Sequence, residues 1–147
     1  MLGKPSESTE HFLLQLKAYD EVGLGAFKVG KNPLVSCEYA NCSALVIKKD
    51  DILALAHFYP KQECALKGLA EELGVELRGL EGFLIGGSLS NLTREAEEAG
   101  LKIRESWVDD WCGRKDMKYY YPRDIIIVPA AGEINIFTHK GRVILNF

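Results

Sequence analysis

The segment from Pro33 to Pro60, PLVSCEYANCSALVIKKDDILALAHFYP, contains the residues of this chain best suited to covalent chemistry. It holds two of the four cysteines and one of the three histidines, and His57 lies inside an almost continuous apolar run. A thiolate is a nucleophile, and an adjacent imidazolium lowers the pKa of a thiol so that an ion pair forms near neutral pH. The imidazole can then protonate a leaving amine and activate water. We therefore ask whether the chain brings one of these cysteines to His57.

Two apolar segments on either side of KKDD predict an antiparallel hairpin that would do so. The segments run from Leu34 to Ile47 and from Ile52 to Tyr59. Because KKDD lacks the Asn-Gly or Asp-Gly of the tightest hairpins, a four-residue loop is the expected connection. The hairpin is expected to turn symmetrically about the pair Lys49-Asp50.

This register predicts that Cys42 lies directly opposite His57 on one face of the sheet. Their Cβ atoms would then be roughly 4.5–5.5 Å apart. A structural interpretation stays open beside the catalytic one. Cysteine is among the most buried residue types, and a lone histidine on an apolar strand is often a hydrogen-bonded core residue.

Length and composition indicate one globular domain that spans residues 1–147. The chain is 47% hydrophobic and 27% charged, and its formal net charge is −3. The absence of a basic block argues against nucleic-acid binding. No apolar run approaches the roughly 18–20 residues of a membrane span, and MLGKPSESTEHF lacks the features of a secretory signal. We therefore expect a cytoplasmic protein with reduced thiols and no membrane insertion.

The hydrophobic pattern predicts an α+β fold, with a mixed or antiparallel β-sheet or a β-sandwich core flanked by two or three helices. The predicted helices are Glu7 to Asp20 with Ser8 or Thr9 as its cap, a helix from Pro60 that Gly74 ends, and SNLTREAEEAG. The segments VELRGLEGFLI, LKIRESWV, KYYYPRDIIIV, EINIF and RVILNF are predicted strands.

The order of several short motifs resembles the chemoreceptor glutamine deamidases (CheD) and, more distantly, deamidase toxins of the cytotoxic necrotizing factor type. The resemblance covers roughly Pro33 to Val128. Ser36 stands six residues before Cys42, where the family has a threonine before its nucleophile, and LALAHFYP carries the histidine and a following proline. The segments LIGGS, AGLKIRES and CGRKDMKYYYP follow in the family's order. The family has Gly-Ser directly before its cysteine, whereas this chain has Ala40-Asn41.

The resemblance implies a protein glutamine deamidase that hydrolyses a glutamine side chain to glutamate and ammonia. Cys42 would be the nucleophile, His57 the acid and base, and Ser36 the residue that orients the imidazole. The substrate would be a chemoreceptor-like protein, or a signalling protein of a target cell to whose cytosol the enzyme is delivered. Transglutamination uses the same groups and stays open, as does a non-catalytic protein-binding module on the same scaffold.

Backbone groups near the thiol complete the predicted site. The N–H groups around Cys42, at Asn41 and Ser43, are the expected oxyanion donors. Gly86 and Gly87 either allow a substrate loop to approach closely or form a strand-to-helix turn that requires glycine. The cysteines show no C-x-x-C spacing, so we expect neither a metal nor a cofactor.

Overall fold

The computed structural model describes residues 4–37, 39, 42–50, 52–59, 65–74, 76–86, 90–107, 122–138 and 141–147. These residues form an α+β fold with three helices and two mixed five-stranded sheets. The helices are α1 (Glu7–Leu13), α2 (Ala65–Leu73) and α3 (Ser90–Ala99). None of the helices in these ranges has both the length and the apolarity that a membrane crossing requires.

Sheet A contains five strands in the order β1-β3-β8-β9-β10, of which only β1 and β3 run parallel. Its strands are β1 (Asp20–Glu21), β3 (Leu34–Cys37), β8 (Pro122–Val128), β9 (Glu133–Thr138) and β10 (Gly141–Asn146). A short 3₁₀ turn (Pro129–Ala131) joins β8 to β9.

Sheet B has the order β2-β5-β4-β6-β7, and only β6 and β7 run parallel. Its strands are β2 (Phe27–Gly30), β4 (Ser43–Lys49), β5 (Ile52–Phe58), β6 (Glu81–Ile85) and β7 (Lys102–Trp107).

The two sheets pack face to face, and helices cover their outer faces. The inner core between the sheets includes Leu34, Ile125, Ile127, Ile134 and Ile136 from sheet A and Ala44, Val46, Leu53, Leu55, Phe83 and Ile85 from sheet B. Helices α2 and α3 pack on the outer face of sheet B, and α1 packs on the outer face of sheet A. Both faces of β4 and β5 are therefore buried, which explains why their sequences are continuously apolar.

The apolar segment from Leu34 to Ile47 is not one strand of a hairpin, as the sequence predicts, but belongs to both sheets. Strand β3 ends at Cys37 in sheet A, and β4 begins at Ser43 in sheet B. We call the connection between these two strands the crossover. It joins the two layers of the sandwich, so residues on either side of it can face each other across the inner core.

The hairpin of β4 and β5 forms, but its predicted register is wrong by two residues. Lys49 pairs with Ile52, and Ala44 rather than Cys42 lies opposite His57. Asp50 has φ of 55°, a left-handed conformation that aspartate tolerates better than most residues, so the turn is tighter than the predicted four-residue loop. A shift of two residues preserves the face to which each side chain points. Cys42 and His57 therefore still share the inner face of sheet B.

Helix α1 is shorter than predicted and begins with a different cap. It ends at Leu13 rather than Asp20, because Asp20 and Glu21 pair with β3 as a strand. Its N-cap is Ser6, whose Oγ accepts a hydrogen bond from the Thr9 N–H, rather than Ser8 or Thr9.

Candidate active site

Ser36 and His57 meet across the inner core, one from each sheet. The Ser36 Oγ lies 2.9 Å from the His57 Nδ1, and the same hydroxyl donates to the Val22 carbonyl at 2.8 Å. Because the Ser36 hydroxyl donates its proton to the Val22 carbonyl, its oxygen accepts the hydrogen bond from the Nδ1–H group of His57. This network assigns the Nδ1–H tautomer to His57, which leaves Nε2 with a lone pair.

The strand around His57 is held by backbone hydrogen bonds on its β2 side. The His57 N–H donates to the Ala26 carbonyl at 3.0 Å, and its carbonyl accepts from the Gly25 N–H at 2.8 Å. The side chain is only 3% exposed. Among the described residues, Nε2 has no hydrogen-bond partner. The imidazole thus has one satisfied nitrogen and one buried nitrogen available to carry a proton.

Tyr39 is a residue of the site that the sequence analysis missed. It lies in the crossover, and its ring stacks on the His57 imidazole with 3.8 Å between centroids and 10° between planes. Tyr39 is 2% exposed, and its hydroxyl has no hydrogen-bond partner among the described residues. Burial raises the pKa of this phenol far above its ordinary range, by more than the nearby Ser36 side chain lowers it. The signal in the sequence was an aromatic residue between Cys37 and Cys42.

Cys42 lies at the sheet B end of the crossover, directly before β4. It is a free thiol, 8% exposed, and part of the inner core. His57 shares this face, since Ala44 lies opposite it and Cys42 is two residues before Ala44. No hydrogen bond joins Cys42 and His57 in the described part of the chain, where Nε2 has no partner. Hydrogen bonds between catalytic groups are often long in enzymes without substrate and tighten when substrate binds.

The electrostatics of the two groups differ from the ion pair that the sequence predicts. Burial raises the pKa of the Cys42 thiol above its ordinary value, and burial lowers the pKa of His57 to about 4. Both shifts disfavour the charged forms. At neutral pH the site therefore holds a neutral thiol and a neutral imidazole rather than the predicted ion pair.

Ser43 and Gly86 are the two described residues of the four predicted to bring backbone groups to the site, and they lie together. The Ser43 hydroxyl donates to the Gly86 carbonyl at 3.4 Å, from the face of sheet B opposite Cys42. Gly86 has φ of 78° and donates its N–H to the Trp107 carbonyl at 2.8 Å. Because this conformation favours glycine, it supports a turn that requires Gly86. Asn41 and Gly87 lie outside the described residues.

The described residues offer no obvious place for a metal ion. Within these ranges, no three His, Cys, Asp or Glu side chains come together as a binding group. The polar atoms of the site belong instead to Ser36, His57 and Tyr39. Their arrangement leaves the His57 Nε2 without a hydrogen-bond partner among the described residues.

Comparison with known proteins gives no relative from which a function can be carried over. The chain matches no protein-family model and no curated protein. The resemblance to the glutamine deamidases therefore stays a prediction. Its last motif, CGRKDMKYYYP, lies outside the described residues except for Pro122.

Proposed function

We propose that this protein is a cysteine-dependent amidohydrolase that converts a glutamine side chain of a protein substrate to glutamate and releases ammonia. The observation that supports the proposal best is the hydrogen bond between Ser36 and His57. Among the described residues, it leaves the buried Nε2 without a hydrogen-bond partner, on the side of sheet B where Cys42 also lies in the inner core. The choice of a glutamine amide among possible substrates comes from the resemblance to the deamidases.

The first half of the reaction forms a thioester. The Cys42 Sγ attacks the carboxamide carbon as the thiol proton passes to the His57 Nε2, and the resulting oxyanion is held by backbone N–H groups near Cys42. The carbon–nitrogen bond then breaks, and Nε2 returns its proton to the leaving nitrogen, which departs as ammonia.

The second half restores the enzyme. Water attacks the thioester carbon and gives a proton to the His57 Nε2, after which the carbon–sulfur bond breaks. The Cys42 thiolate takes the proton from Nε2, and the product is a carboxylic acid that ionises in water. Through both halves the Ser36 Oγ accepts the Nδ1–H bond and so keeps Nε2 available for the proton.

The experiment that tests this function measures ammonia released by the purified protein from benzyloxycarbonyl-glutaminyl-glycine and from a pool of glutamine-containing peptides. We expect release by the wild type and none by Cys42→Ala. Cys37→Ala is the matched control, because Cys37 lies at the other end of the crossover and contacts the outer core under α1. Activity that survives Cys42→Ala but is lost in Cys37→Ala would refute the assignment of the nucleophile.

A non-catalytic protein-binding module is the second candidate, and one observation favours it. Cys42 is 8% exposed and its pKa is raised, which is typical of a cysteine that serves as core. In such a module no ammonia would be released, and Cys42 would react with alkylating reagents only after the protein unfolds.

A further inference from the structure

The Tyr39 ring covers one face of the His57 imidazole, whose Nδ1 is already bonded to Ser36. The two planes differ by 10°, and the centroids are 3.8 Å apart. This is close, parallel contact between two rings that are both almost fully buried. Tyr39 belongs to the crossover, so its position depends on the same short stretch of chain that leads to Cys42.

The hydrogen bond that His57 donates to Ser36 does not by itself fix the imidazole. A bond at Nδ1 constrains one atom of the ring, and the ring can still tilt about that atom. Tilting would move Nε2, which lies at the far side of the ring and has no partner of its own among the described residues. A flat aromatic surface against one face opposes this motion. The Ser36 contact and the Tyr39 contact together therefore determine where Nε2 lies.

The position of Nε2 decides how well His57 exchanges protons with Cys42 and with a leaving amine. Reactions between groups held in place are very sensitive to geometry, and a displacement of about 1 Å can cost about 10²-fold in rate. We propose that Tyr39 is a positioning residue that holds the His57 ring by stacking. The proposal rests on the proposed function in that His57 is taken as the proton carrier.

The Tyr39 hydroxyl provides a matched control for the ring. The hydroxyl is buried and has no hydrogen-bond partner among the described residues, so its removal should not destabilise the protein. If the ring is what matters, Tyr39→Phe keeps the function of this residue. Tyr39→Leu removes the aromatic surface and keeps an apolar side chain.

The test records nitrogen-15 and proton NMR spectra of the histidines in the wild type, Tyr39→Phe and Tyr39→Leu, with His57 assigned by loss of its signals in His57→Gln. We expect the Nδ1–H tautomer and ring-current-shifted imidazole protons in the wild type and in Tyr39→Phe. In Tyr39→Leu we expect loss of that shift. We also expect a mixture of tautomers, because a ring that tilts no longer keeps its Nδ1–H directed at the Ser36 oxygen. Should Tyr39→Leu fail to fold, Tyr39→Met replaces it, because methionine fills irregular gaps in cores.

The same three proteins are then compared in the rate at which iodoacetamide alkylates Cys42 in the native state. We expect Tyr39→Phe to react at the rate of the wild type. The rate for Tyr39→Leu should be lower by a factor of about ten or more. An unchanged tautomer and rate in Tyr39→Leu would overturn the proposal, and so would equal losses in both variants, which would assign the role to the hydroxyl. Failure of the wild type to release ammonia would refute the proposed function, whereas the NMR spectra would still decide the role of Tyr39.

Discussion

The His57 ring is held at one nitrogen by Ser36, on one face by Tyr39 and along its backbone by two hydrogen bonds to the β1–β2 connection. Cys42, by contrast, lies before the first residue of β4 and makes no hydrogen bond to His57 within the described chain. In the proposed reaction the proton carrier is thus held by several contacts, whereas no hydrogen bond among the described residues joins it to the nucleophile.

After the complete loss expected in Cys42→Ala, the largest effect on activity should come from His57, which several contacts hold in place. General acid and base catalysis contributes roughly 10²–10⁴-fold to rate, so His57→Gln should lower kcat/KM for ammonia release by that factor. His11→Gln is the matched control, because His11 is an exposed residue of α1, and it should leave kcat/KM unchanged. Equal activity of His57→Gln and the wild type would remove His57 from the reaction.

The burial of His57 should also make stability depend on pH. The pKa of His57 is about 6.5 in the unfolded chain and about 4 in the folded protein, so the unfolded state binds the proton more tightly. Stability is therefore lost as the pH falls from about 6.5 to about 4, and the loss reaches about 3 kcal/mol below that range.

Urea unfolding of the wild type and His57→Gln at a series of pH values measures this contribution. The free energy of unfolding of the wild type should fall relative to that of His57→Gln over the stated range, because only the wild type contains the buried imidazole. Parallel curves for the two proteins would mean that His57 is solvated or paired with an acid, contrary to the contacts described above.

The parts of the site that lie on or next to strands are those that could be predicted from the sequence. Cys42 and His57 could be placed on one common face because strand side chains alternate with a period of two, which a register error of two residues does not change. Ser36 was a candidate only through the resemblance to the deamidases. The register of the hairpin of β4 and β5 depends on the turn at Asp50. The sequence KKDD does not specify that Asp50 adopts a left-handed conformation.

The long-range parts of the site could not be predicted in this way. The division of the segment from Leu34 to Ile47 between two sheets is hidden, because both of its parts are apolar and both are buried. The stack of Tyr39 on His57 joins a residue between β3 and β4 to a residue of β5 that lies 18 positions further along the chain. No periodic pattern encodes such a contact.

The most direct test of the site is the rate at which iodoacetamide alkylates Cys42 in the native protein at neutral pH, mapped by mass spectrometry and compared between the wild type and His57→Gln. If His57 receives the thiol proton, Cys42 is alkylated without unfolding, and the rate falls about tenfold or more in His57→Gln. Equal rates in the two proteins, or no reaction until the chain unfolds, would contradict a working pair of Cys42 and His57.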